Sequence, residues 1–497
     1  MVFSSVSFLF FFLPVVLLLY YLMPAKTRNM VLLAASLLFY TWGEPAYIVI
    51  MIVSCLSGYI HGILIEKKRA GQYAKLLLSS SIIISLGMLL YFKYSDFMIV
   101  NINALTGSRL GLLNIALPIG ISFYTFQIIS YTIDVYRGRF RAQKNLISFA
   151  TYITFFPQLI AGPIVRYSDI ASQLTYRDGY PIRKTTSSSE NETMNQYTSK
   201  SLAASISEGI LRFTFGLAKK VLLANSFGKL VGLLELNSTM SVLTMWLISA
   251  AFMLQIYFDF SGYSDMAIGL GRMFGFHFPE NFRYPLTAIS ISDFWRRWHI
   301  SLGSWFRDYV YIPLGGSRCS KIRLLINIMI VWLLTGLWHG AKWNFVLWGG
   351  YFAILLAAEK LIRIDRIKLP KAIKHLRTIF FVLLSFSIFY SSNADEAFFM
   401  LKNMLPGSNL KLYDSITIYY LRSYLLPIVI GIIAATPIPA KVINYVRNYN
   451  IENSFIRKLN LSIIVDLAAP IYMLTLLVLS TAGIVDGSFN PFIYFRF

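Results

Sequence analysis

The chain has 497 residues, 56% hydrophobic, 16% aromatic and only 14% charged, and 45 Lys and Arg against 23 Asp and Glu give a formal net charge of +22. Soluble domains carry roughly a quarter charged residues, and runs such as Phe8 to Met23 or Ile471 to Leu479 do not belong on a water-facing surface. A soluble enzyme, a secreted disulfide scaffold and a disordered chain are therefore all disfavoured. What remains is an all-α, polytopic integral membrane protein, because the apolar segments are continuous rather than alternating as in a β-barrel. The two cysteines, Cys55 and Cys319, define neither a metal spacing nor a disulfide framework.

In chain order, residues 1–24 lack a basic region ahead of their apolar run. The first charges, Lys26 and Arg28, follow it. This is the pattern of a retained first membrane helix with its N-terminus outside, rather than of a cleavable signal. A spanning helix needs about 20 mostly apolar residues. The candidate spans are 5–24, 30–42, 46–65, 76–92, 111–135, 204–235 (long enough to be either one span or a broken one), 240–260, 322–338, 343–362, 378–392, 418–436 and 463–483. About eleven full crossings are expected, with re-entrant pieces at 152–163 (Pro157, Gly162, Pro163) and 274–302, where broken helices must be covered by protein or line a cavity. Basic clusters at Lys67–Arg69, Arg137–Lys144, Lys360–Arg377 and Lys441–Lys458 are expected on the cytoplasmic side of a cell (inner) membrane. That placement and contact with anionic lipid account for the positive charge without nucleic acid. Residues 176–200 form the one long polar loop, and the whole of 1–497 reads as a single membrane domain.

Charge is not spread evenly. The segment from Tyr257 to Arg318 contains Asp259, Asp265, Arg272, His277, Glu280, Arg283, Asp293, Arg296, Arg297, His299, Arg307, Asp308 and Arg318. Ionisable groups at membrane depth are costly and either pair or line an internal cavity, so this segment is expected to surround the reaction chamber. An interfacial amphipathic helix with snorkelling arginines is the competing reading. The next apolar helix ends in Trp338-His339-Gly340, followed by Lys342. A neutral imidazole is the commonest general base near neutral pH, which makes His339 a candidate base and His299 a possible partner reached only through tertiary folding. His61, His277 and His375 read as structural or interfacial. No HExxH, paired-Cys or P-loop pattern is present, which argues against zinc chemistry and nucleotide hydrolysis.

Four stretches together resemble the membrane-bound O-acyltransferase (MBOAT) family, in particular its alginate O-acetylation branch. They are FPQLIAGPIVR from Phe156 to Arg166, GYSDMAIGLGRMFGFHFPENFRYP from Gly262 to Pro285, DFWRRWHISLGSWFRDYVYIPLGG from Asp293 to Gly316, and LTGLWHGAKWNFVLWG from Leu334 to Gly349. The motif-bearing core covers roughly residues 150–350, and the aromatic tail 491–497 also looks like this branch. The resemblance implies a ring of tilted helices around a central pore with a funnel on each side. It implies His339 as the essential histidine and His299 as its polar partner. It further implies acetyl-CoA as the cytoplasmic acyl donor, no permanently bound cofactor, and a polysaccharide or peptidoglycan as final acceptor. The acyl group would pass to a periplasmic or extracellular acetyltransferase of the SGNH type.

Acyl transfer from a thioester needs a nucleophile, a base and a stabilised oxyanion. His339 is expected to be the base, its neutral form favoured by desolvation. His299 or a backbone donor near Gly340 is expected to orient it or bind the oxyanion. Arg296, Arg297, Arg318 and Lys342 are candidates for the coenzyme phosphates, with positive-inside anchoring as the alternative. Tyr494, among Phe492, Phe495 and Phe497, is a candidate acyl carrier or an interfacial anchor. A transporter without chemistry, a lipid-linked glycosyltransferase and a non-catalytic scaffold for a secreted acetyltransferase are the competing functions.

Overall fold

The computed structural model describes residues 1–69, 71–160, 162–177, 202–237, 240–362, 368–448 and 461–487. Nearly all of the polar loop and the aromatic tail with Tyr494 lie outside the described residues. Helices are the only regular elements among the described residues. Seven are long and apolar enough to cross a membrane: Ile48–Lys68, Tyr73–Thr106, Val242–Met273, Lys321–His339, Trp343–Ile362, Lys371–Tyr390 and Leu467–Asp486. An eighth is formed if Ser415–Ser423 and Leu425–Ala434, bent by 58°, count as one span. The protein is therefore a multi-pass, all-α membrane protein.

The expectation of about eleven spans is corrected at identifiable places. The expected span 111–135 is helical only from Ile121 to Tyr136. Pro118 precedes it, and Gly120 sits at φ +77°, where a side chain would also press on the Leu159 carbonyl. The expected span 204–235 folds as Leu202–Ala218, a π-helical segment Lys219–Ala224, and Asn225–Glu235. It carries an inward-facing lysine where a lipid-facing span would carry a leucine. The N-terminal apolar helix Phe8–Leu22 and the helix Arg28–Gly43 are both shorter than a full crossing. The expected breaks do appear. A helix ends at Thr154 and restarts at Phe156, and 274–290 is mostly irregular.

The chain packs as two compact units, one of Met1–Gly216 with Tyr263–Glu280 and one of Leu217–Gly262 with Asn281–Phe497. The first is held by an aromatic core. Phe3 stacks on Tyr263 with ring centroids 4.7 Å apart, Phe12 meets Phe156 edge-on at 5.4 Å, and Tyr20 donates to the Phe274 carbonyl at 2.7 Å. Arg212 bridges Asp265 and Glu280 at 2.6 and 2.7 Å, and Arg272 pairs with Glu208 at 3.3 Å. His277 is fixed through its backbone N–H, which donates to Gln173 Oε1 at 2.7 Å.

The second unit contains the first part of the helix Val242–Met273, the most deeply packed of the spans. Some 67% of its most apolar stretch is buried, against 6% for Leu467–Asp486. Apolar contact alone does not hold it. Lys220, from the π-helical segment, reaches Asp259 at 2.6 Å, with side-chain exposures of 6% and 1%. Removing one partner of a buried pair strands the other charge, at a cost of about 3–5 kcal/mol, while replacing both with apolar groups is close to neutral. Asp259→Leu should therefore lower the midpoint of thermal unfolding in detergent sharply, and Lys220→Met with Asp259→Leu should recover most of it. An equal loss in the double variant would show that the pair is not the cause.

Candidate active site

The Lys321–His339 and Trp343–Ile362 helices form a hairpin joined by three residues. Their approach is set by glycine. A methyl group at Gly336 would overlap the Phe345 carbonyl oxygen, and one at Gly349 would overlap that of Trp332. Small residues at a crossing let helix backbones meet where lipid supplies no hydrophobic drive. A side chain at Gly340 would likewise strike the Phe345 ring. This crossing puts His339, at the end of the first helix, edge-on to Trp348 of the second. Their ring centroids are 5.1 Å apart at 81°. Phe389, from Lys371–Tyr390, closes the other side at 5.2 Å. His339 is 7% exposed.

His299 arrives by a different route. It sits between the short helices Ile291–Arg297 and Ile300–Phe306 with φ +46° and ψ +52°. That left-handed conformation costs a non-glycine residue of order 1–3 kcal/mol and is held only where its surroundings dictate it. Here Asn281 supplies the hold. Its carbonyl accepts from the Ile300 N–H at 2.9 Å, and its side-chain oxygen accepts from the Ser301 N–H and hydroxyl at 3.2 and 2.9 Å. Two residues on, the Arg283 N–H donates to the Arg297 carbonyl at 2.9 Å. The His299 ring, 3% exposed, packs against Phe260, Phe282 and Trp338. Neither ring nitrogen meets a hydrogen-bonding group of another described residue. Burial pushes its pKa well below the ordinary imidazole value, so the ring is neutral near neutral pH.

Both histidines line one cavity. Its other walls are five phenylalanines (260, 294, 352, 386, 389), three tryptophans (295, 298, 348) and Ile256. Of the thirteen ionisable residues expected to surround a chamber, only His299 is on this wall. Several of the others are spoken for: Asp259 by Lys220, Asp265 and Glu280 by Arg212, Asp293 by Arg297 at 2.9 Å and Asp308 by Arg307 at 2.7 Å. The concentration of charge thus marks structural pairing, and the chamber is aromatic.

The four proposed phosphate-binding cations are not brought together. None lines the cavity. Arg296, Arg318 and Lys342 are exposed, and Arg297 is tied to Asp293. Arg318 precedes the start of Lys321–His339 and Lys342 follows its end, so a 19-residue helix of about 28 Å separates them. Tyr494 lies outside the described residues. No group of three or more potential metal ligands occurs among the described residues.

Comparison with known proteins identifies the family. The model of MBOAT, the membrane-bound O-acyltransferase family, matches residues 139–394. The chain is 41% identical over 422 residues to the probable alginate O-acetylase AlgI of Azotobacter vinelandii, covering 83% of this chain and 80% of that protein. The chain belongs to the membrane-bound O-acyltransferase family. It is also 33% identical to the peptidoglycan O-acetyltransferase of Helicobacter pylori, over 82% of this chain and 80% of the relative. Against the teichoic acid D-alanyltransferase of Bacillus subtilis it is 26% identical, over 48% and 58%. Every residue lining the cavity of this O-acyltransferase lies between 256 and 389, inside the matched region.

Sequence reasoning missed the residue that seats the His299 segment. Glu359, near the end of the Trp348 helix, accepts from the Ile291 N–H at 2.7 Å and from the Ser292 N–H and hydroxyl at 2.9 and 2.8 Å. A carboxylate there satisfies orphan donors of the first helical turn and complements its positive end. Only its place one turn from the end of an apolar span, 68 residues from its partner, hinted at it. Glu359→Ala should cost about 1–3 kcal/mol in stability. It should also speed hydrogen–deuterium exchange across 291–301 more than across 321–339. Uniform exchange in both segments would contradict the seating role.

Proposed function

We propose that this O-acyltransferase is an O-acetyltransferase. It takes acetyl groups from acetyl-CoA on the cytoplasmic side and passes them through the membrane for O-acetylation of a cell-surface polysaccharide. The names of the alginate and peptidoglycan relatives support the acetyl group and the glycan acceptor. The observation that carries the mechanism is the convergence of two buried imidazoles on one aromatic cavity. His339 acts as general base. It takes the proton of an attacking hydroxyl as that oxygen adds to the thioester carbonyl carbon. Collapse of the tetrahedral intermediate breaks the C–S bond, and the departing thiolate takes the proton back from the imidazolium. His299, kept neutral by burial, is a second hydrogen-bonding group on the same wall. The apolar lining keeps water away from the thioester, which suppresses hydrolysis.

In this reading the protein sits in a bacterial inner membrane with its N-terminus outside, as its basic loops suggest. The acetyl group goes on to a periplasmic SGNH-type acetyltransferase. Tyr494 is the candidate relay, carrying the acetyl group on its phenolic oxygen between the two. The exposed cations act as individual contacts for the coenzyme or for anionic lipid.

With membranes and labelled acetyl-CoA, His339→Ala should reduce label transfer to glycan by about 10²–10⁴-fold at unchanged protein level. Normal transfer would remove the base assignment. Tyr494→Phe, assayed in parallel, should lose glycan acetylation if the relay operates. A fully active variant would leave direct transfer to the partner as the route.

A further inference from the structure

Two tryptophans of the cavity wall carry indole N–H groups that take no part in the chemistry above. Trp295 and Trp348 both line the cavity, and Nε1 of each is buried without a hydrogen-bond acceptor among the described residues. The fold satisfies an indole elsewhere: Trp246 Nε1 donates to the Met404 carbonyl at 3.1 Å. A buried donor left unmatched destabilises the resting fold, so a pair of them on one reaction cavity calls for an acceptor that arrives with the substrate. Trp348 is the better placed. It is 4% exposed and stands edge-on to His339 at 5.1 Å, whereas the ring neighbours of Trp295 are Trp332, Trp348, Phe294 and Phe352. Its own ring is locked by Phe352 at 5.1 Å and Phe389 at 5.2 Å, and the neighbouring Gly349 fixes the backbone that carries it.

We propose that Trp348 is a catalytic residue whose Nε1–H stabilises the oxyanion of the tetrahedral intermediate; the proposal rests on the thioester acyl-transfer reading above. As the acceptor oxygen bonds to the carbonyl carbon, the carbonyl π pair moves onto its oxygen, and the indole donates a hydrogen bond to the charge that forms. Return of that pair expels the thiolate, which takes the proton held by His339. The indole keeps its own proton throughout. A neutral donor suits an apolar cavity, because it needs no counter-ion in the resting state and strengthens its bond only as charge develops.

The test uses the full-length protein in membranes, labelled acetyl-CoA and the cell-envelope glycan as acceptor. Trp348 is replaced by Phe and, by non-natural incorporation, by 3-benzothienylalanine, which keeps the bicyclic shape and puts sulfur in place of N–H. Both variants should lose about 10²–10³-fold in kcat with KM for acetyl-CoA changed less than about threefold. Trp295→Phe should lose less than about tenfold. A benzothienyl variant with wild-type kcat overturns the donor role, whatever Phe does, because shape alone then suffices. His339→Ala is measured alongside. Full transfer by that variant overturns the underlying reading and the proposal with it. Loss in His339→Ala together with a fully active benzothienyl variant overturns the indole role alone.

Discussion

The close crossing at Gly336 and Gly349 is the constraint on which the cavity depends. In a bilayer, helices gain nothing from hiding apolar surface that lipid would cover equally well, so association rests on contact and on how near the backbones can come. Here two positions admit no side chain at all. That proximity brings the end of one helix, with His339, against the face of the next, with Trp348 and Phe352. The chamber wall is then built from large rings whose relative angles are set by packing, many of them near-perpendicular. A looser crossing would leave the same residues present but the imidazole free to change rotamer.

Electrostatics divides the molecule into two kinds of polar group. Carboxylates and cations that enter the interior are neutralised locally, as in Lys220 with Asp259 and Arg212 with Asp265 and Glu280. The His299 imidazole is kept neutral by burial, the indoles carry no charge, and these rings lie on the wall of one cavity. A low-dielectric site penalises a permanent charge far more than a dipole. It therefore suits a reaction whose reactants are neutral and whose charge appears only in passing.

Much of this was legible in the sequence. The motif-bearing stretches pointed to the family, the apolar runs to a polytopic helical protein, and the Trp-His-Gly and Trp-His-Ile contexts to the two histidines that share the cavity. What escaped notice has physical causes. Hydropathy counts apolar residues without knowing which face lipid, so 111–135 and 204–235 passed as spans although the first is broken at Pro118 and Gly120 and the second buries Lys220. Composition locates charge but not its partner. The crowd from Asp259 to Arg318 therefore looked like a chamber lining, when partners 39 to 68 positions away were neutralising part of it. Glu359 was invisible for the same reason, because a cap donated across 68 residues leaves no local pattern. The aromatic wall was visible only as abundance, since a tryptophan's role is set by what its edge faces.

Within the Trp343–Ile362 helix, the interval from Trp348 to Glu359 joins two supports of the cavity. Eleven residues, roughly 16 Å of helix, separate the ring that borders His339 from the carboxylate that seats the segment leading to His299. Both ends are engaged, so the interval behaves as a fixed gauge between the two histidines' supports. Side chains along it can be exchanged for others of similar volume. Its length cannot be altered, because one inserted or deleted residue turns one end by about 100° relative to the other. Evolution and engineering can therefore repaint this helix but cannot re-index it.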